Sequence, residues 1–334
     1  MPCDPSLPSA ARPGHDAPEA HLDEGTTQLT RILDAACRGF AAGEPPAGVV
    51  AALVPALHAL RAACLPAVWA RLVPLARAHP VRGCLHQDPL VLRAFEAPRG
   101  HAGDPVLLDL LYRHLAAAEA VAEASALGRG IYACTSRSAF ARAVQERREL
   151  LAARVDAAAA GAPRAEVLAL GAGHLREAEL SRAHAARELK RWTALDPDPA
   201  AVETMRALHA GGAVMPTLGS AKALASGGCD LGAFDLIYSA AVCDELPDPA
   251  VAGLARRLLG MLKPGGELLL AAASTEVAAD AFLEIFMNWT PIARTEHAMR
   301  RIAAAAIEPG RHEARVFFAE TRCLVYASIR RVDG

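Results

Sequence analysis

The chain has no run of lysine and arginine, no Cys-x-x-C pair, no internal repeat and no strand-like alternation before about residue 160. Each absence narrows the function. A formal net charge of −2 gives no whole-molecule attraction to nucleic acid or to an anionic membrane. Eight cysteines (Cys3, Cys37, Cys64, Cys84, Cys134, Cys229, Cys243 and Cys323) stand singly, so neither a metal site nor a disulfide framework is indicated. The opening Met1-Pro2-Cys3-Asp4-Pro5 lacks a basic region followed by an apolar run, so no secretory signal is expected. The alanine-rich stretches are broken by Arg, Glu, Asp and His, so no membrane span is expected either. A cytoplasmic protein acting on a small molecule is the default, with its oligomeric state open.

What is present is enough apolar material for a core: 53% hydrophobic against 22% charged residues, in one large or two modest domains. Residues 1–24, rich in Pro, Ala, Asp and Gly, read as a mobile tail. Residues 25–160 read as helical. A first helix is expected over 26–37, and a second from the stripe Val49, Val50, Leu53, Leu57 and Leu60. Asp104 as N-cap and Pro105 at the first helical position start another, with Leu107, Leu110, Leu111 and Leu115 on its inner face. Ser138 caps the last helix before the sheet, whose inner face is Phe140, Val144, Leu151 and Val155. Residues 98–104 have no apolar period and carry two glycines, two prolines including Pro105, and Arg99 and His101. They read as a turn or as a lid over a ligand.

Residues 161–334 read as an α/β domain. Val167 to Leu170 are too short a run for a helix and suit a strand buried on both faces. Gly171-Ala172-Gly173 allows a sharp turn, and a helix beginning near His174 would aim its free N–H groups at a ligand. Arg191-Trp192-Thr193-Ala194-Leu195 is a second strand ending at Asp196, where an acidic residue can accept ribose hydroxyls. Phe234-Asp235-Leu236-Ile237-Tyr238-Ser239 is a strand, Leu254, Leu258 and Leu262 mark a helix face, and Lys263-Pro264-Gly265-Gly266 precedes the strand 267–271. Helices over 280–287 and 295–306 and a terminal hairpin over 313–318 and 323–329 complete the expected order.

The sequence of strand, "FDLIYS", helix, "LKPGG" and strand resembles the class I S-adenosylmethionine (SAM)-dependent methyltransferases. That resemblance implies a Rossmann-like, mostly parallel seven-stranded sheet with a C-terminal antiparallel hairpin, preceded here by an all-helical region. Residues 76–112, "FDLIYSAAVCDELPDP" and "FMNWTPIARTEHAMRRI" resemble a bacterial family that includes makers of a 3-hydroxy fatty acid methyl ester signal. Members tend to carry Tyr in place of His101, and Leu-Phe-Asp-Tyr in place of Val242-Cys243-Asp244-Glu245. Ala169 replaces a common acidic residue, and Leu175 a common third glycine.

By this resemblance SAM is the cofactor. Gly171, Ala172 and Gly173 line its methionine side, Asp196 and Pro197 its ribose, and Ser220, Ala221 and Lys222 its adenine. Ser239, Ala240 and Ala241 face its sulfonium, and Arg176 either meets its carboxylate or pairs with Glu177. Candidate bases are Glu245, Asp244 and His101, and candidate substrate contacts are Arg99, His101 and Tyr238. His174 reads as a loop residue near the cofactor, and Trp289 and Tyr238 each as core or pocket wall. Three functions stay open. One is methyl transfer to a small acceptor, such as a carboxylate or hydroxy acid. The second is cyclisation of SAM to azetidine-2-carboxylate and methylthioadenosine. The third is non-catalytic SAM binding.

Overall fold

Prolines and short polar caps cut the first half into helices. In the computed structural model, residues 16–227 and 231–332 are described, with side chains from residue 19 onward. The helices are α1 (Asp16–Ala41), α2 (Pro46–Ala63), α3 (Pro66–Ala78), α4 (Val81–Leu85), α5 (Pro89–Glu96), α6 (Pro105–Leu111), α7 (Ala118–Glu123), α8 (Ala126–Thr135) and α9 (Ala139–Gly161). As expected, Asp104 caps α6 by accepting from the Leu107 amide, and Ser138 caps α9 through the Ala141 amide. The five α2 stripe residues and the four inner-face residues of α9 are buried.

Four sequence expectations shift. The first helix starts at Asp16, so residues 16–24 are helical and not tail. Leu22, Leu29, Leu33, Ala36 and Phe40 give this stretch a helical stripe that its Gly and Pro content obscured. Residues 1–15 and Cys229 lie outside the described residues. Leu115 is 86% exposed, because α6 stops at Leu111 and Arg113 turns left-handed at φ 53°. Leu262 belongs to a strand, not to the preceding helix. Finally, α2 is 18 residues long with a mean hydropathy of 1.4, enough by length and composition to cross a membrane. Here its buried stripe packs among α1, α8 and a later helix, Asp280–Phe286.

The second half alternates β1 (Glu166–Leu170), β2 (Arg191–Asp196), β3 (Val214–Leu218), β4 (Phe234–Ser239), β5 (Leu262–Ala273), β6 (His312–Phe318) and β7 (Leu324–Arg331) with α10 (Arg182–Ala185), α11 (Pro199–Leu208), α12 (Ala221–Ala225), α13 (Asp248–Leu259), α14 (Asp280–Phe286) and α15 (Glu296–Ala306). The sheet order is β3-β2-β1-β4-β5-β7-β6. β1 to β5 run parallel, and β7 pairs antiparallel with both β5 and β6. This is the Rossmann-like class I methyltransferase fold.

Period-2 alternation sends the strands' side chains to two separate cores. Val167, Ala169, Trp192, Ala194, Leu236, Tyr238, Leu269, Ala271 and Tyr326 join the core of the helical half. Leu168, Leu170, Leu195, Ile237, Leu268, Leu270, Val325 and Ala327 pack on the other face with α13 and α15. The helical half therefore packs on one side of the sheet through α9, with α11 of the second half beside it over β2 and β3. The helix α14, from the second half of the chain, also packs against α2, α3 and α5.

Candidate active site

The end of β1 turns at Gly171 (φ 63°) and Gly173 (φ 58°), left-handed conformations that favour glycine. The turn is held to the end of β2. The Gly171 amide donates to the Leu195 carbonyl at 2.9 Å, and the Gly173 amide donates to Asp196 Oδ2 at 2.7 Å. Asp196 Oδ1 accepts from the Asp198 amide at 2.9 Å. Burial raises the Asp196 carboxyl above its ordinary range, against these two amide bonds and against nearby His101.

No α-helix follows the turn. Leu175 is left-handed at φ 52°, and only a short 3₁₀ segment, Arg176–Glu179, comes after it. Its side chains point into the protein, where Asp109 of α6 organises them. His174 Nδ1 lies 2.9 Å from Asp109 Oδ2, and Arg176 grips both Asp109 oxygens at 2.8 and 3.0 Å. Despite its burial, Asp109 is held at about 2 by His174 and Arg176. Arg176 also donates to Glu179 at 2.7 Å. Both expectations for Arg176 are thus corrected: its guanidinium is used by Asp109 and Glu179, neither free for a ligand carboxylate nor paired with Glu177.

Residues 98–104 lie across this turn. Arg99 Nη1 meets Asp198 Oδ2 at 2.5 Å, at the N-cap of α11. A Cβ built on Gly173 would stand 3.6 Å from Pro105, and one on Gly103 would stand 3.4 Å from the Trp289 ring. The loop therefore reaches from the ribose side of the expected cofactor site to Trp289. Arg99 is occupied by Asp198 and His101 is exposed on the same loop. Trp289 itself meets Phe140 edge-on, with ring centroids 5.2 Å apart.

Of the two readings of Tyr238, substrate contact or core, the structure has the core: it is buried and its hydroxyl donates to Glu177 Oε1 at 2.6 Å. Burial raises the Glu177 carboxyl. The segment after β4 is also braced. Asp244 Oδ1 accepts from the Ala273 amide at 2.7 Å, and burial pushes its carboxyl up to about 6. Buried Arg294 donates to the Cys243 carbonyl at 2.5 Å, the Leu246 carbonyl at 2.5 Å and Asp248 at 3.0 Å. Asp244 is thus a structural clip between β4 and β5 whose second oxygen has no partner among the described residues, while Glu245 is exposed. Ser220 caps α12 through the Ala223 amide, Ala221 packs on the core beside it, and Lys222 is exposed. Pro197 is exposed beside Asp196, and Ser239 Oγ accepts from the Val242 amide at 3.3 Å.

Sequence reasoning missed Asp109, Arg294 and Arg147. The signal for Arg147 was its place on the α9 stripe, between Val144 and Leu151. A charged residue on an apolar face needs a partner. Also unforeseen is a cavity of about 290 Å³ beyond the end of β5. It is bounded by Ala273, Ser274, Thr275, Asp280, Trp289 and Arg61, the last from α2.

No family model matches the chain, and no curated protein does. Among solved structures, a possible exported protein from Bordetella parapertussis is 15% identical, with a TM-score of 0.57 over 97% of this chain and 100% of that one. It shares the fold from the helical half through the hairpin. The N-methyltransferase NodS from Bradyrhizobium japonicum aligns with 57% of this chain and 97% of its own, at 19% identity and a TM-score of 0.40. A putative O-methyltransferase from Nostoc punctiforme aligns over 58% of each chain, at 17% identity and 0.43.

Proposed function

We propose that the chain is a SAM-dependent methyltransferase acting on a small-molecule acceptor, a carboxylate or hydroxy acid, in the cytoplasm. The observation that carries this reading is the closed arrangement at the β1 and β2 ends. A glycine turn is clipped to Asp196, in a sheet of class I methyltransferase order, beneath a loop from the helical half. SAM supplies a methyl group on a sulfonium, which a nucleophile attacks in line. The chain's part is to hold both partners aligned and to keep water out.

Asp196, with lone pairs left beyond its two amide bonds, accepts from the ribose hydroxyls. Ser220 and Ala221 border the adenine, and Ser239, Ala240 and Ala241 border the sulfonium. The cavity beyond β5 takes the acceptor. A carboxylate acceptor is already ionised near neutral pH and needs no strong base. For a hydroxyl acceptor, His101 and Glu245 are the exposed groups able to take the proton.

Mass spectrometry of the full chain incubated with SAM tests the reading. Silence with SAM alone, followed by S-adenosylhomocysteine when hydroxy acids or other small carboxylates are added, supports it. Enzyme-dependent methylthioadenosine with an equal amount of azetidine-2-carboxylate would assign SAM cyclisation instead. Binding without any product would make the chain a SAM-binding protein.

A further inference from the structure

We infer that Arg147 is the ligand for the carboxylate at the amino-acid end of SAM, the role that Arg176 cannot fill. The inference rests on the cofactor reading above.

Arg147 is only 3% exposed and sits at the interface of α9 with the sheet. Its Nη1 donates to the Ala240 carbonyl at 2.7 Å, and its Nε is buried with no partner. Among the described residues it forms no ion pair. Of the two carboxylates whose fields reach the same interface, Glu177 accepts from the Tyr238 hydroxyl, and Asp244 accepts from the Ala273 amide through one oxygen only. The phenols of Tyr112 and Tyr326 are its other polar neighbours. A buried guanidinium with an unsatisfied N–H is costly, and a carboxylate bound side-on is its best-matched ligand.

Its place fits the amino-acid end of SAM. Leu170 of β1 is in register with Ser239 of β4, so Gly171 and Ala240 leave the two strands side by side. A guanidinium fixed on the Ala240 carbonyl therefore stands next to the glycine turn. On the far side of that turn, His174 is 6% exposed and holds a second unpartnered buried atom, Nε2. Its Nδ1 lies 2.9 Å from Asp109 Oδ2, so Nε2 is the ring atom left without a partner beside the turn. The two orphaned atoms belong to residues at one turn, and the guanidinium has the chemistry that a carboxylate needs.

Calorimetry on the full chain with SAM and with decarboxylated SAM, which lacks only the carboxylate, tests this. The wild-type chain is expected to bind SAM about ten- to a hundred-fold more tightly than the decarboxylated form. Arg147→Gln should remove that preference and leave decarboxylated SAM within about two-fold of its wild-type affinity, with Arg147→Lys in between. A wild-type chain that binds both equally, or a folded R147Q that still prefers SAM, overturns the inference while leaving the cofactor reading intact. Equal loss of both ligands in R147Q would reduce Arg147 to a staple between α9 and β4. If R147Q does not fold, the wild-type ratio and R147K decide. A wild-type chain that binds neither ligand overturns the cofactor reading itself.

Discussion

Arg99 and Asp198 meet at 2.5 Å across the two halves of the molecule, one from the loop after α5, the other from the cap of α11. Asp198 is held below the ordinary carboxylate range because the Ala200 amide and Arg99 together outweigh its burial. Its neighbour Asp196 shapes the glycine turn, so the loop is tied to the segment that joins that turn to α11.

Residues 98–104 should accordingly gain protection when SAM binds. Hydrogen exchange of the wild-type chain is expected to slow in this loop on adding SAM. Arg99→Ala should speed exchange there without the ligand. As a partly exposed ion pair, Arg99–Asp198 is worth up to about 1 kcal/mol, so global stability should barely change. Equal exchange with and without SAM would make the loop an ordinary connection.

Asp196→Ala should weaken SAM binding by about 1.5–3 kcal/mol, the value of a hydrogen bond to a charged group. Titration calorimetry on a variant with a native circular dichroism spectrum measures it, with NAD as a ligand that should bind neither protein. Undiminished affinity would leave Asp196 only its part in closing the glycine turn.

Stability should fall from mildly acidic to neutral pH, through Asp88. Burial pushes this carboxyl up to about 7 from an ordinary 3.8, although it caps α5 and accepts from Thr135. Between these values the folded chain holds a proton that the unfolded chain has released. The folded state therefore loses stability as pH rises from about 4 to 7, by at most about 4 kcal/mol. Asp88→Asn keeps an acceptor for the Leu90 amide and should flatten this part of the profile. At the acid end the sign reverses. Glu166 is held at about 2 against burial by Lys263, Lys190 and Arg191, and Asp109 at about 2 by His174 and Arg176. Their contribution is lost as pH drops below about 4. Urea melts of both proteins at several pH values check both limbs.

Arg294→Leu should cost about 3–5 kcal/mol, because it strands the Leu246 carbonyl, leaves the Cys243 carbonyl only a long bond from the Leu246 amide, and leaves Asp248 with a single, more distant cation, Arg301. The urea midpoint reads this directly. A loss below about 1 kcal/mol would mean that water replaces the guanidinium without penalty.

The elements that could be read in the sequence are those with a strong local pattern. The buried runs of β1 and β4, the Asp104 and Ser138 caps and the α9 stripe all lie where expected. Local pattern could not show which partner takes a charged side chain. Arg176 beside a glycine turn looks like a ligand group until Asp109, 67 positions earlier, is placed against it. Tyr238 at a strand's C-terminal end looks accessible until Glu177 caps its hydroxyl. Arg147 was overlooked for the opposite reason: read as one more charge on a long helix, it is the charge on the helix's apolar face.

The shared core has a kinetic meaning. Helices α1 to α9 and one side of the sheet bury their apolar residues together, so the helical half cannot swing away without exposing that core to water. A ligand passing without that cost would move past the short strip around Arg99 and Gly103, which Arg99 ties to Asp198. A ligand site beneath that strip would work like a letter slot, not a jaw. Its ceiling on ligand exchange would be the opening rate of the strip, sensitive to salt through one ion pair and indifferent to the stiffness of the rest.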